Sequence, residues 1–218
     1  MARIIDCQQG TQEWHEARCG IITASRVHDI LAKTSSGKPT AARRNYQAEL
    51  VVERLTGHPT EGGFVSSEMR RGTEVEPEAR NLYELTTGNL VEQVGFVIAE
   101  DTPYAGASPD GLVGLDGCVE IKCPNTANHL QLFEGGRIES RYYDQMQWVM
   151  FVCDRTWCDY ISYDPRISHP ALQLYIQRVE RDEAWISRAQ NAALQFNVEV
   201  EERLAQLQNL AATKGAQL

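Results

Sequence analysis

The stretch "YAGASPDGLVGLDGCVEIKC", from Tyr104 to Cys123, limits the fold more than any other part of the chain. Four glycines and a proline in twenty residues exclude a helix, because each interior glycine costs about 1 kcal/mol against alanine and a proline about 3 kcal/mol. The β-branched and apolar residues between the glycines read instead as short strands joined by tight turns. With the strand-like run from Leu90 to Glu100 before it, the region is expected to form three adjacent strands, an antiparallel meander with one fold at "GLDG".

Helical patterns surround this region. A short helix is expected from Gln12 to Cys19, and "ITASRVHDIL" reads as a helix to about Ala32 capped by Thr23 or Ser25. The segment from Thr40 to Thr56, with Tyr46, Leu50 and Leu55 at helical spacing, stops at Gly57; it reads as a surface helix. Ser67 to Thr87 carries Ala79, Leu82, Tyr83 and Leu85 and stops at Gly88, with a kink or restart expected near Glu76 because Pro77 lacks an amide donor. After the glycine-rich region come a short helix capped by Asn125 or Thr126, a helix from about Tyr142 to Cys153, the strands "TWCDYISYD" and "LQLYIQRVE", and a terminal helix from Asp182 to about Leu210. The order predicts a single α/β (α+β) domain over residues 1–218, built on a central mixed β-sheet flanked by helices. Its parts are a helical amino-terminal region (1–88), a sheet core (89–180) and a carboxy-terminal helix (181–218).

The composition, 42% hydrophobic and 23% charged, is that of a globular protein. No apolar run reaches the roughly 20 residues that cross a bilayer, and the first residues lack a signal peptide's apolar region, so a cytoplasmic location is expected. The six cysteines lack metal-site spacing and read as buried thiols, with Cys118 and Cys123 on opposite faces of a strand. A net charge of −9 argues against a nucleic-acid partner. Yet Arg18 to Arg71 holds nine basic residues against five acidic, so one positive face could meet phosphate while the acidic remainder faces away.

The glycine-rich region also concentrates chemistry. Glu120 and Lys122 stand two apart on an apparent strand and therefore share a face, with Ile121 pointing the other way. A hairpin folded at "GLDG" brings Asp110 beside them. Phosphodiester hydrolysis needs charge neutralisation, an activated water and a stabilised leaving oxygen, which one or two Mg²⁺ ions can supply. Mg²⁺ takes oxygen ligands and keeps several waters, so two carboxylates and a main-chain carbonyl suffice. The plainer alternative is an exposed hairpin with a surface Glu120–Lys122 pair worth a few tenths of a kcal/mol.

Six ordered stretches then match one family: "WHEARCGIITASRVHDILAK", "RGTEVEPEARNLYELTTG", "SPDGL", "EIKCP", "DQMQWVM" and "YDPR". On these the chain resembles the PD-(D/E)xK nuclease superfamily and, within it, the YqaJ-type viral recombinases that include bacteriophage lambda exonuclease. The resemblance implies a restriction-endonuclease-like core and a Mg²⁺-dependent 5′→3′ exonuclease of linear double-stranded DNA, with Mn²⁺ as a substitute. It makes Asp110, Glu120 and the Ile121 carbonyl metal ligands, Lys122 the catalytic lysine and Glu76 an additional carboxylate. It places Arg18, Ser25 and Ser108 on the 5′ phosphate, Gln145 near the site and Met69 at a strand-separating wedge. Ser35 falls where lambda exonuclease carries a further phosphate-pocket arginine, with Lys38 or Arg43 as candidate substitutes. A homotrimeric ring around DNA and a single-strand annealing protein partner are also implied.

Two other readings share these residues: a PD-(D/E)xK endonuclease or junction resolvase, and a non-catalytic module that binds DNA ends. The presence of Asp110, Glu120, Lys122 and Glu76 together favours catalysis. The five histidines share no motif with a nucleophile, which disfavours a Ser-His or Cys-His hydrolase.

Overall fold

The structure, a computed structural model, describes residues 2–60 and 67–215. Strand β1 (Arg3–Ile5) and helix α1 (Gln12–Arg18) lead to β2 (Ile22–Thr23), a 3-10 turn and α2 (Val27–Leu31). Helices α3 (Ala41–Thr56) and α4 (Ser67–Thr87) precede five strands, β3 (Val91–Glu92), β4 (Phe96–Ile98), β5 (Ala105–Ala107), β6 (Gly111–Val113) and β7 (Gly117–Lys122). The chain finishes with α5 (Thr126–Phe133), α6 (Ser140–Cys153), β8 (Trp157–Tyr163), β9 (Leu174–Glu180) and the long α7 (Glu183–Gly215).

The strands divide between two mixed sheets, ordered β1-β4-β5-β2 and β3-β6-β7-β8-β9. This replaces the expected meander. β4 and β5 form an antiparallel hairpin in the small sheet, β6 and β7 another in the large one, and the chain passes from sheet to sheet through Ser108, Pro109 and Asp110. Pro109 has no N–H to extend a ladder, which suits it to a crossing. The amino-terminal region is not purely helical: β1 pairs with β4, and β2 lies parallel to β5 with Ile22 opposite Ala105. Thr23 is consequently strand, and neither Thr23 nor Ser25 caps α2, which begins after Arg26 with no side-chain cap bond.

Other local signals translate directly. Thr40 Oγ1 accepts the Arg43 amide at the start of α3, Gly57 ends that helix at φ 72°, and Asn125 caps α5. Helix α4 continues through Pro77 without a restart. It buries Ala79 and Tyr83, while Leu85 is 84% exposed; on α3, Leu55 is half exposed although Tyr46 and Leu50 are buried. The helical period alone put these leucines too close to the apolar faces.

The larger core joins Ile22, Tyr46, Met146, Trp148 and Phe196, and a second core packs α4 residues Ala79 and Tyr83 onto Val119, Ile121 and Ile161. Each fully buried large apolar side chain contributes roughly 1.5–3 kcal/mol. Strand β7 runs between the two cores, so Val119 and Ile121 face α4 whereas Cys118 faces the larger core. That alternation sends Glu120 and Lys122 to the side of Cys118, which is also packed. The six cysteines are free thiols, three of them buried.

Candidate active site

The crossing between the sheets carries Ser108 at one end and Asp110 at the other. Asp110 Oδ2 accepts the Ile121 amide at 2.6 Å, which fixes the carboxylate against the main chain between Glu120 and Lys122. Gly111 follows, and a Cβ there would stand 2.1 Å from Val91 Cγ1. Only a glycine lets β3 close over β6 beside Asp110.

Glu120 is fully buried, and Lys122 on the same face makes an ion pair with Glu120 Oε1. Apart from the Lys122 ammonium, neither carboxylate oxygen of Glu120 has a hydrogen-bond donor among the described residues. Burial pushes the Glu120 carboxyl up to about 7; the Lys122 ammonium pulls against that rise and the Asp110 carboxylate adds to it. For Lys122, burial disfavours the charge, but Glu120 and Asp110 more than offset it and raise the ammonium pKa. The exposed-hairpin alternative is therefore excluded: this is a buried, charged cluster.

Glu76, on α4, borders the same cleft as Asp110, a cavity of about 830 Å³. Burial and the Asp110 carboxylate raise its pKa, opposed by Arg80 and Lys122. Arg80 Nη2 donates to Glu76 Oε1 at 2.5 Å, and with its amide turned the Gln93 oxygen accepts from both terminal nitrogens of Arg80 at 3.2 Å. Gln145 is half-buried on α6, one turn after Tyr142, whose ring centre lies 5.2 Å from Lys122 Nζ. Met69 falls within α4, but its side chain lies outside the described residues.

A divalent cation suits this donor set. The Asp110 carboxylate raises the proton affinity of both Glu76 and Glu120, and buried carboxylate oxygens with no donor besides Lys122 are what a hard cation satisfies. Among the described residues no group of three or more His, Cys, Asp and Glu side chains is closed tightly enough to hold a metal by itself. Asp110, Glu120 and the Ile121 carbonyl are the fitting share, with water completing the sphere.

Arg18 and Ser25 line a second cavity, of about 560 Å³, beside the small sheet. Arg18 Nη1 donates to Ser108 Oγ at 3.1 Å, and its guanidinium stacks 4.0 Å from the Trp14 ring centre. Ser25 is exposed, its hydroxyl 3.5 Å from Thr23 Oγ1. Of two carboxylates lining the cavity, Glu53 accepts from the Gly20 amide and from Thr60, and Glu49 pairs with Arg26 at 2.8 Å. Both are held by local donors, and Arg18 is the cation bonded to Ser108.

With this geometry in place the comparison with known proteins is decisive: the YqaJ-like viral recombinase domain matches residues 13–156, two thirds of the chain. The chain belongs to the YqaJ-like viral recombinase family. This YqaJ-like chain is also 41% identical to an alkaline exonuclease, LHK-Exo, from Laribacter hongkongensis, covering 93% of this chain and 99% of that one with a TM-score of 0.85. A second structure of LHK-Exo, in complex with dAMP, matches to the same degree. A phage-related exonuclease from Haemophilus somnus 129PT, 16% identical over 86% of this chain and 96% of that one, shares the fold with a TM-score of 0.64. No curated protein matches the chain.

The YqaJ-like site thus brings together Asp110, Ile121, Glu120, Lys122 and Glu76, and separately Arg18, Ser25 and Ser108. Neither candidate substitute for the missing arginine lines this cavity. Arg43 makes a two-pronged bond to Glu199 of α7 at 2.8 and 3.0 Å and stacks on Phe196, and Lys38 is exposed in the loop before α3. Arg54 likewise pairs with Glu201, so α7 carboxylates neutralise part of the positive segment. Sequence reasoning missed Arg26, which lines the cavity over the Tyr46 ring, and Arg80, which holds Glu76. It also missed Arg71, which donates to the Cys123 and Pro124 carbonyls at 2.7 and 2.6 Å and ties α4 to the end of β7. "EARN" and "RRGTE" offered arginines in the right places, but nothing in them distinguished a partner.

Proposed function

We propose that this YqaJ-family nuclease is a Mg²⁺-dependent 5′→3′ exonuclease acting on linear double-stranded DNA, leaving 3′ single-stranded overhangs for phage-type homologous recombination. One observation carries the reading: a three-residue crossing, Ser108 to Asp110, joins an arginine-lined pocket to the buried carboxylate–lysine cluster. An enzyme that removes terminal nucleotides needs an end-phosphate site and a hydrolytic site at a fixed, short spacing. The similarity to an alkaline exonuclease, and to its complex with a nucleoside monophosphate, supports the same chemistry here.

Bound at Asp110, Glu120 and the Ile121 carbonyl, Mg²⁺ would supply Lewis acidity and charge neutralisation for phosphodiester hydrolysis, with Mn²⁺ as its nearest substitute. Lys122 keeps its proton and places a positive charge beside the reacting phosphate, where it stabilises developing negative charge. Glu76, fixed by Arg80, orients the attacking water. Arg18 and the hydroxyls of Ser108 and Ser25 take the 5′ phosphate, a guanidinium supplying paired donors and the hydroxyls compact ones. Gln145 is assigned to the DNA beside the cluster, and Met69 to the wedge that separates the strands. A homotrimeric ring would keep the enzyme on its substrate, and a single-strand annealing protein would take the exposed strand.

The test is digestion of linear duplex bearing 5′ phosphate or 5′ hydroxyl, with Mg²⁺ or EDTA, by wild type and Lys122→Ala. Activity is expected only with Mg²⁺ and only in wild type, with slower initiation at 5′ hydroxyl ends. Cutting of covalently closed circles would move the reading to an endonuclease or resolvase, and duplex-end binding without cleavage to a binding module.

A further inference from the structure

We infer that Trp14 is the positioning residue of the end-recognition pocket: its indole N–H compels the Ser108 hydroxyl to act as a donor toward the terminal phosphate. The inference rests on the end-recognition reading above and gives a role to a residue that opens one family stretch but to which the sequence analysis assigned none.

Hydrogen-bond valence sets the sense of this hydroxyl. A serine hydroxyl has one proton to give and two lone pairs to accept with. Trp14 Nε1, a group that can only donate, reaches Ser108 Oγ at 2.8 Å, and Arg18 Nη1, also only a donor, reaches it at 3.1 Å. Both lone pairs are thereby used, and among the described residues no acceptor takes the Ser108 proton. What remains at this oxygen is a single O–H that must find an acceptor outside the protein. Such a hydroxyl complements an anionic oxygen and is ill-suited to a cation or a further donor.

Trp14 acts on Arg18 as well. The guanidinium lies 4.0 Å from the ring centre, a stacked cation–π contact that restrains it in the plane facing Ser108. Thr11 caps α1 by accepting the Trp14 amide, so the tryptophan main chain sits in an anchored first turn. The residue also borders both cavities, the one containing Arg18 and the cleft containing Glu76 and Asp110. One side chain therefore forms the wall between the two sites and orients the hydroxyl that joins them.

The ratio of cleavage efficiency on 5′-phosphate over 5′-hydroxyl ends tests this in wild type, Trp14→Phe, Ser108→Ala and the double variant. Phenylalanine keeps an aromatic face and loses the pyrrole ring with its N–H, so the Ser108→Ala background separates the hydrogen bond from the lost volume. Trp14→Phe is expected to lower the ratio about tenfold, as one oriented hydrogen bond is worth, through KM more than kcat. In the Ser108→Ala background the same change should have no further effect on the ratio. An unchanged ratio in Trp14→Phe overturns the inference, as does an equal loss in both backgrounds, which marks a general structural role. A wild type that treats both ends alike defeats the end-recognition reading itself. If Trp14→Phe does not fold, the metal-free wild type labelled with ¹⁵N at the indoles decides the matter. The signal that Ser108→Ala displaces belongs to Trp14, and it must shift with a 5′-phosphorylated dinucleotide and not with its 5′-hydroxyl counterpart; no difference between the two overturns the inference.

Discussion

Asp110 Oδ2 and the Ile121 amide stand 2.6 Å apart, so the carboxylate leaving the small sheet is bonded to the main chain at the centre of the strand that carries Glu120 and Lys122. This bond makes the geometry of the cluster a property of the large sheet's own hairpin. It also frees the other oxygen of Asp110 for a ligand, and it transmits any disturbance of the β6–β7 turn to the site.

Removing the lysine should cost stability as well as activity. Lys122 is the cation beside a fully buried Glu120, and a buried carboxylate stripped of its partner costs about 3 kcal/mol. Urea unfolding of Lys122→Ala in EDTA is expected to show that loss, and the double variant Lys122→Ala/Glu120→Gln to regain most of it. Both should be inactive. A double variant no more stable than Lys122→Ala refutes the pairing.

The acid limb of the stability profile should depend on Asp164. Burial by itself raises this carboxyl, but the Arg166 side chain and amide and the Thr126 hydroxyl outweigh it and hold the pKa at about 2. A group depressed on folding contributes fully above its unfolded pKa and loses that contribution as the pH falls toward the folded value. The window is therefore about pH 4 down to about pH 2, and the amount at most about 2 kcal/mol. Thermal unfolding of Asp164→Asn should show a lower melting temperature at pH 7 and a flatter decline across that window.

Arg43 should matter to the fold and not to DNA. Its guanidinium is occupied by Glu199, joining α3 to α7. A double-mutant cycle of Arg43→Ala and Glu199→Ala is expected to give a coupling of about 1 kcal/mol in unfolding experiments. The salt dependence of DNA binding should keep its slope in Arg43→Ala, since a lost phosphate contact would reduce it by nearly one.

Gly111 should tolerate no side chain. A Cβ would meet Val91 Cγ1 at 2.1 Å, so Gly111→Ala must push β3 or β6 aside next to Asp110, with an expected loss of about 2 kcal/mol and reduced cutting. Adding Val91→Ala removes the obstructing methyl and should restore most of the melting temperature.

Much of the site is legible in the amino-acid sequence. The period of a strand puts Glu120 and Lys122 on one face, the pair Asn125 and Thr126 marks the start of a helix that Asn125 caps, and "GLDG" marks its turn. What misleads is the chain order of the glycine-rich region. Strands that follow one another are expected to pair, yet β5 and β6 part at Pro109 into different sheets. Thr23 and Ser25 look like caps because cap chemistry is local, whereas the pairing of Ile22 and Thr23 with β5 is made by residues more than eighty positions away.

The sequence by itself determined the kinds of groups available and their local phase: two carboxylates and a lysine around a hairpin, an arginine on a short helix, and a family pattern linking them. Tertiary structure decided their states. Packing on both faces of β7 turned Glu120 from a surface acid into a buried one held by Lys122 alone, and α7 neutralised arginines that composition counted as free. Trp14 and Ser108 met across 94 positions. Periodicity and turn chemistry act over a few residues and can be read from them. Burial, ion pairing and hydroxyl polarity depend on which distant segments pack together, and these were settled only when the chain closed on itself.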